Sequence, residues 1–219
     1  MGAAKTRIDV APGVVLWPQW FDAREQTLLA QDIFRLAAEA PFYRPRMPRS
    51  GKPFSVEETN LGPLGWVSDE RGYRYEAVHP TTRRPWPPIP DVLERLWRAA
   101  TGCVAPVECC LVNLYRGGAR MGLHQDRDEA ALDAPVVSVS LGDSAQFRIG
   151  SSTRRAPAQS LPLASGDVVT FGGVARLAFH GIDRVVEKSS AVVPGGGRLN
   201  LTLRRVSPMA QIKDARPGG

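Results

Sequence analysis

Three side chains have the types and order of an iron facial triad: His124 and Asp126, one residue apart after a glycine-rich turn, and His180 much further along. Two imidazoles and one carboxylate leave three positions open on a non-haem Fe(II), and open positions on iron mean oxygen chemistry. On an extended segment residues i and i+2 leave the same face, so His124 and Asp126 can meet one ion. A His-x-Asp triplet also arises by chance, and a lone histidine is more often a satisfied core residue than a ligand. The balance shifts because the chain has 3 histidines and two of them sit at strand edges in the order the triad requires. His79, before Pro80, is read as structural.

Arg198, Asn200, Thr202 and Arg204 alternate with Leu199, Leu201 and Leu203 along one predicted strand. The polar side of such a strand usually faces water. If the strand belongs to the same small barrel as His180, that side faces the interior instead. An interior guanidinium without a counter-charge is costly, so it implies an anionic partner, and arginine grips carboxylates with two prongs. A dicarboxylate such as 2-oxoglutarate fits, with Asn113 and Tyr115 on another strand face completing its hydrogen bonds. The two signals together read as an Fe(II)-, 2-oxoglutarate- and O2-dependent oxygenase.

The elements that must hold these groups are mostly strands. From Glu108 onward the period is two: Leu111, Asn113 and Tyr115 share one face, Val137, Val139 and Leu141 another, and 166–171 and 198–206 continue the series. Short apolar runs separated by turn residues, with 21 Gly and 19 Pro, favour a β-sandwich or barrel. Two helices precede it. Asp22 to Glu25 fits a capping box, followed by Leu28, Leu29, Ile33, Leu36 and Ala37 at helical spacing up to Pro41. Asp91 to Glu94 fits a second box, with Gly102 placed to end its helix. Between the helices, residues 42–90 are rich in Pro, Gly, Arg and aromatics without sustained periodicity, which reads as a functional lid. The predicted fold is thus mainly β with flanking helices (α+β), a single domain over 1–219 with a lid at 42–90 and a core at 108–206.

At 219 residues the chain can bury one full core. Its net charge of +6, with arginine greatly outnumbering lysine, suits a phosphate-bearing partner, although genomic base composition also enriches arginine. There is no apolar run long enough for a bilayer, and Met1 to Val10 lacks a signal-peptide core, so a cytoplasmic protein with no membrane role is expected; nothing in the sequence calls for an oligomer, and a monomer is the expectation. Cys103, Cys109 and Cys110 form no CxxC pair and are expected to be reduced and mostly buried. Arg216 to Gly219 is expected to fray.

With these residues in place, the chain resembles the AlkB-type alkylated nucleic acid repair dioxygenases. The resemblance rests on Asn113-Leu-Tyr115, Gly117-Gly118-Ala119, His124-Gln-Asp126-Arg-Asp128-Glu129, Pro135 to Gly142, Gly166-Asp167, His180-Gly181-Ile182 and Arg198-x-Asn200-x-Thr202-x-Arg204. It extends to Leu61-Gly62-x-x-Gly65-Trp66, Gly72-Tyr73-x-Tyr75 and Pro85-Trp86-Pro87, and so covers most of the chain.

The resemblance implies a double-stranded β-helix (jelly roll) core behind an N-terminal nucleotide-recognition lid. By position it puts iron on His124, Asp126 and His180, and 2-oxoglutarate on Asn113, Tyr115, Arg198, Asn200 and Arg204. Trp66, Tyr73, Asp128, Ser138 and Arg154 become substrate contacts, the last in a stretch that matches less well. The implied reaction is oxidative demethylation of 1-methyladenine and 3-methylcytosine in DNA, with RNA left open, yielding formaldehyde, succinate and CO2. These lesions are cationic, which suits an aromatic stack from Trp66 and a carboxylate from Asp128. One departure is Phe171, where a close relative would carry tryptophan. Two rivals stand beside this reading: an oxygenase of the same chemistry acting on a protein side chain or small metabolite, and a metal-free nucleic-acid-binding jelly roll.

Overall fold

The computed structural model describes residues 5–208; the expected fraying of Arg216 to Gly219 lies outside them, as does the start of the Met1–Val10 segment. The chain forms β1 (Ile8–Ala11), β2 (Val14–Trp17), α1 (Ala23–Ala37), β3 (Glu57–Leu61), β4 (Gly65–Asp69), β5 (Gly72–Glu76) and α2 (Asp91–Thr101). There follow β6 (Cys109–Tyr115), β7 (Met121–His124), β8 (Val136–Gly142), β9 (Ala145–Ile149), β10 (Gln159–Leu163), β11 (Val168–Phe171), β12 (His180–Val185) and β13 (Arg198–Arg204). A seven-stranded sheet runs in the order β1-β2-β11-β8-β13-β6-β3, and a four-stranded sheet runs β10-β9-β12-β7. Every pairing in both is antiparallel, as expected of the jelly roll.

Two apolar layers explain the architecture. Cys110, Val112, Leu114, Val137, Val139, Leu141, Leu199, Leu201 and Leu203 cluster with Leu29, Ile33, Leu36, Leu93, Leu96 and Trp97, so one face of the large sheet is covered by both helices. Its other face shares a second cluster with the small sheet, made of Val14, Leu16, Tyr115, Phe147, Ile149, Phe171 and Ile182 among others. β6, β8 and β13 are therefore buried on both faces along their whole length. The alternating polar residues of β13 belong to the interior, and the water-facing alternative is excluded.

The elements depart from the sequence reading in three ways. Asp22 caps α1 as a true capping box, accepting from Glu25 N at 2.8 Å while Glu25 accepts from Asp22 N at 2.9 Å. Leu28, however, lies off the packed stripe and is 54% exposed. α2 has no second box: Pro90, with φ −57°, occupies the cap, its side chain makes no capping bond, and Asp91 and Glu94 fall inside the first turn. There they complement the helix dipole rather than cap it. Gly102 ends this helix in the left-handed conformation, as predicted.

The third difference lies before residue 108. β1 and β2 extend the large sheet at one edge and β3 at the other, so the sheet is built partly from residues ahead of the expected core. Only β4 and β5 form a separate two-stranded ribbon within the 42–90 stretch. Asn60 on β3 clamps that ribbon from both sides, donating to Trp66 O and accepting from Trp66 N, each at 3.0 Å. Gly65 permits the approach, because a Cβ there would come within 2.4 Å of the Trp86 ring.

Candidate active site

β7 and β12 pair so that His124 stands directly across from His180. Asp126 lies two residues past the end of β7 in irregular backbone, and its carboxylate reaches the histidines. The ligand atoms of His124, Asp126 and His180 lie within 4.8 Å of one another. Asp126 Oδ1 is 3.7 Å from His124 Nε2 and 3.9 Å from His180 Nε2.

Hydrogen bonding sets the chemical state of each group. His124 Nδ1 lies 3.0 Å from Gly122 O and His180 Nδ1 2.9 Å from Ala178 O. A carbonyl can only accept, so both Nδ1 atoms carry a proton and both Nε2 atoms face the centre. Burial, reinforced by the neighbouring His124, pushes the His180 pKa down to about 4 and keeps the imidazole neutral. Burial works against ionisation of Asp126, yet Arg204, aided by the two histidines and Arg176, outweighs it and holds the carboxyl well below the usual carboxylate range. Arg204 reaches only Oδ2, from Nε at 3.0 Å and Nη2 at 2.8 Å, leaving Oδ1 for the histidine side. Two imidazole nitrogens and one fixed carboxylate are the donor set that Fe(II) takes.

Behind this cluster a network absent from the sequence reading holds the geometry. Arg176, buried, donates to Asp126 O at 2.5 Å, to Ala134 O at 2.8 Å and to Glu129 Oε2 at 3.0 Å. Tyr75 donates to Glu129, which also faces Arg204 at 3.6 Å. Tyr75 and Glu129 stand in motifs of the sequence, but nothing there gives their role, and Arg176 stands in none, since each acts through contacts between distant segments.

The predicted co-substrate residues share the interior face. Arg198 stands across from Tyr115 and Asn200 across from Asn113. Arg198 is fully buried; Nη2 donates to Ser140 Oγ at 2.8 Å, while Nε and Nη1 have no partner among the described residues. Burial lowers its pKa to about 10, with Tyr115 pulling the other way. Asn113 Oδ1 is also buried and unpartnered. The two unsatisfied guanidinium nitrogens are costly unless an anion meets them, and a carboxylate of 2-oxoglutarate would supply that charge, whereas Asn113 Oδ1 needs a donor. Asn200 is engaged already, donating to Ser138 Oγ and Val139 O and accepting from Thr202. Arg204 does not share Arg198's situation: it stands at the other end of β13, roughly 20 Å along the strand, and is paired with Asp126.

Of the predicted substrate contacts, Trp66, Tyr73, Asp128 and Arg154 line one cavity of about 340 Å³ together with His124 and Asp126. Trp66 and Tyr73 stack, with centroids 5.4 Å apart and planes at 19°. Trp66 Nε1 donates to Asp128 Oδ2 at 2.9 Å. Arg154 lies over the Phe179 ring at 5.5 Å. Ser138 is not part of this group; it is buried beside Asn200 and lines an inner cavity with Asn113, Tyr115 and His180. Phe171 packs on His180 at 4.8 Å. His79 is structural, its Nε2 donating to Pro41 O and its Nδ1 accepting from the backbone of Thr81 and Thr82.

Comparison with known proteins matches the model of the 2OG-Fe(II) oxygenase superfamily over residues 13–204. The alpha-ketoglutarate-dependent dioxygenase AlkB homolog of Caulobacter vibrioides is 55% identical over 198 residues, 90% of each chain. The chain is an AlkB-type member of the 2OG-Fe(II) oxygenase superfamily. AlkB of Escherichia coli is 43% identical over 178 residues, covering 79% of this chain and 81% of its own. The solved structure of OsALKBH1 superposes with a TM-score of 0.80 at 31% identity, covering 91% of this chain and all of that one. This AlkB-type chain is an Fe(II)- and 2-oxoglutarate-dependent dioxygenase that uses O2.

Proposed function

We propose that this dioxygenase removes N-linked methyl groups from alkylated bases of nucleic acid, with 1-methyladenine and 3-methylcytosine in DNA as substrates. The observation that carries the reading is the cavity that joins the stacked Trp66–Tyr73 pair and Asp128 to the histidine–aspartate cluster. A flat cationic ring is attracted to an aromatic face and a carboxylate, and both favour the methylated base over its neutral parent. A lesion that blocks the pairing edge also costs less to flip out of a duplex.

His124, Asp126 and His180 would hold Fe(II), and Arg198, Tyr115 and Asn113 would hold 2-oxoglutarate, with Asn200 and Arg204 lining the same inner cavity as Asn113 and Tyr115. When bound, these groups couple O2 and 2-oxoglutarate to succinate, CO2 and oxidation of the methyl carbon, which leaves as formaldehyde. The chain's own residues do the rest. Arg204 and Arg176 keep Asp126 ionised and oriented, the backbone carbonyls of Gly122 and Ala178 fix the imidazole tautomers, and Phe171 packs on His180. Trp66 and Asp128 orient the base.

The test supplies an oligonucleotide with one 1-methyladenine, Fe(II), 2-oxoglutarate and ascorbate, beside an unmethylated control. Lesion-dependent release of formaldehyde and succinate together is expected. Succinate formed without formaldehyde, and indifferent to the lesion, would contradict the reading and favour a protein or small-metabolite substrate.

A further inference from the structure

Glu58 lies on β3 directly across from Asn113 of β6. Directly paired residues on neighbouring strands project from one face, so Glu58 shares the interior face with the co-substrate groups. It is 1% exposed, and neither carboxyl oxygen has a hydrogen-bond partner among the described residues. Tyr43, joined to it by reciprocal backbone hydrogen bonds, gives no relief, because its own buried hydroxyl is also unpartnered. Stability alone favours an aliphatic side chain at such a position. Yet Glu58 lines the cavity that holds Trp66, Tyr73, Asp126 and Asp128, and its burial puts it at the inner end, whereas Asp128 is exposed at the mouth.

We propose that Glu58 is a specificity-determining residue that accepts a hydrogen bond from the exocyclic amino group of the flipped base. The inference rests on the demethylase reading given above. In 1-methyladenine and 3-methylcytosine the amino group adjoins the methylated ring nitrogen and shares the positive charge, making it a strong donor to a carboxylate. In 1-methylguanine and 3-methylthymine a carbonyl oxygen takes that position; it repels the ionised carboxylate and can only accept from the protonated carboxyl, a neutral bond weaker than the charge-assisted one. Burial raises the Glu58 pKa to about 8, with Arg204 opposing, so a cationic donor beside it stabilises the ionised form. Asp128, hydrogen-bonded to Trp66, attracts the positive charge of the ring at the entrance, while Glu58 reads the substituent.

The experiment compares kcat/KM on four otherwise identical oligonucleotides, carrying 1-methyladenine, 3-methylcytosine, 1-methylguanine or 3-methylthymine. Wild type is set beside Glu58→Leu, Glu58→Met and Glu58→Gln, and fluorescence anisotropy gives Kd for the same set. The preference for amino-bearing over carbonyl-bearing lesions should fall about tenfold in the Leu and Met variants, with the same trend in Kd. Glu58→Gln, whose amide oxygen still accepts, should retain much of it. Both apolar variants should melt at or above the wild-type Tm, since an unsatisfied buried group is removed, and either one suffices if the other fails to fold. An unchanged preference in a folded apolar variant overturns the proposal and leaves the demethylase reading intact. A wild-type enzyme that demethylates none of the four overturns both.

Discussion

Asp126 divides its two oxygens between two duties: Oδ2 is taken by Arg204, and Oδ1 faces both histidines. Arg198 is the complementary case, a fully buried cation with two nitrogens unpartnered among the described residues. Replacing it with Met removes both the charge and its desolvation cost. Arg198→Met should therefore fold at least as well as wild type while raising the KM for 2-oxoglutarate tenfold or more, by roughly the 1.5–3 kcal/mol of a charged hydrogen bond; unchanged KM would remove it from the co-substrate site. Glu58 gives a pH signature independent of catalysis. Its folded pKa of about 8 lies above the ordinary carboxyl value of 4.5, so between these pH values the folded state holds a proton the unfolded state has lost. The stability it contributes is fully present below the unfolded pKa and is lost as pH rises through about 8, with a limiting slope of about 1.4 kcal/mol per unit. Urea midpoints of Glu58→Gln and wild type should diverge in favour of the variant as pH rises from 5 to 8, and parallel curves would contradict the burial argument.

At the scale of elements, β13 is the strand on which the fold and the site meet. Leu199, Leu201 and Leu203 pack toward the helices, and Arg198, Asn200, Thr202 and Arg204 face inward. Leu201→Ala should cost about 3 kcal/mol, the usual penalty of a cavity in a closed core, measured by denaturant unfolding; a cost below about 1 kcal/mol would mean that the strand is not a central one. The strand's alternation was legible in the sequence because period two survives any context. So were the capped start of α1 and the glycine end of α2, which depend on local chemistry. What was not legible depended on tertiary partners. Asp91 looked like a cap but yielded that position to Pro90. β3 hid in a stretch without alternation because it is buried on both faces for most of its length. Glu58 and Arg176 carried no motif because their meaning is in the segments that meet them.

At the scale of the molecule, strands distant in sequence bring an aromatic and acidic cavity, the His124–Asp126–His180 cluster and the buried Arg198 onto one interior. No helix of the described residues is long and apolar enough to cross a membrane. Around the ribbon, Arg44, Arg71 and Arg74 are already paired with Glu57, Asp69 and Glu76. Arg49, Lys52, Arg83 and Arg84 are exposed and form no ion pair among the described residues. Phosphate contacts should come from this second group. The slope of log Kd against log salt for single-stranded DNA should fall by about one for each such contact removed, and a slope indifferent to all four would place the nucleic acid elsewhere. The most direct test of the central claim is the intact mass of a 1-methyladenine oligonucleotide after incubation with Fe(II), 2-oxoglutarate and either wild type or Asp126→Ala. Loss of one CH2 is expected with wild type, and an unchanged mass with a folded Asp126→Ala. Loss of the methyl group with both proteins, or with neither, would contradict that claim.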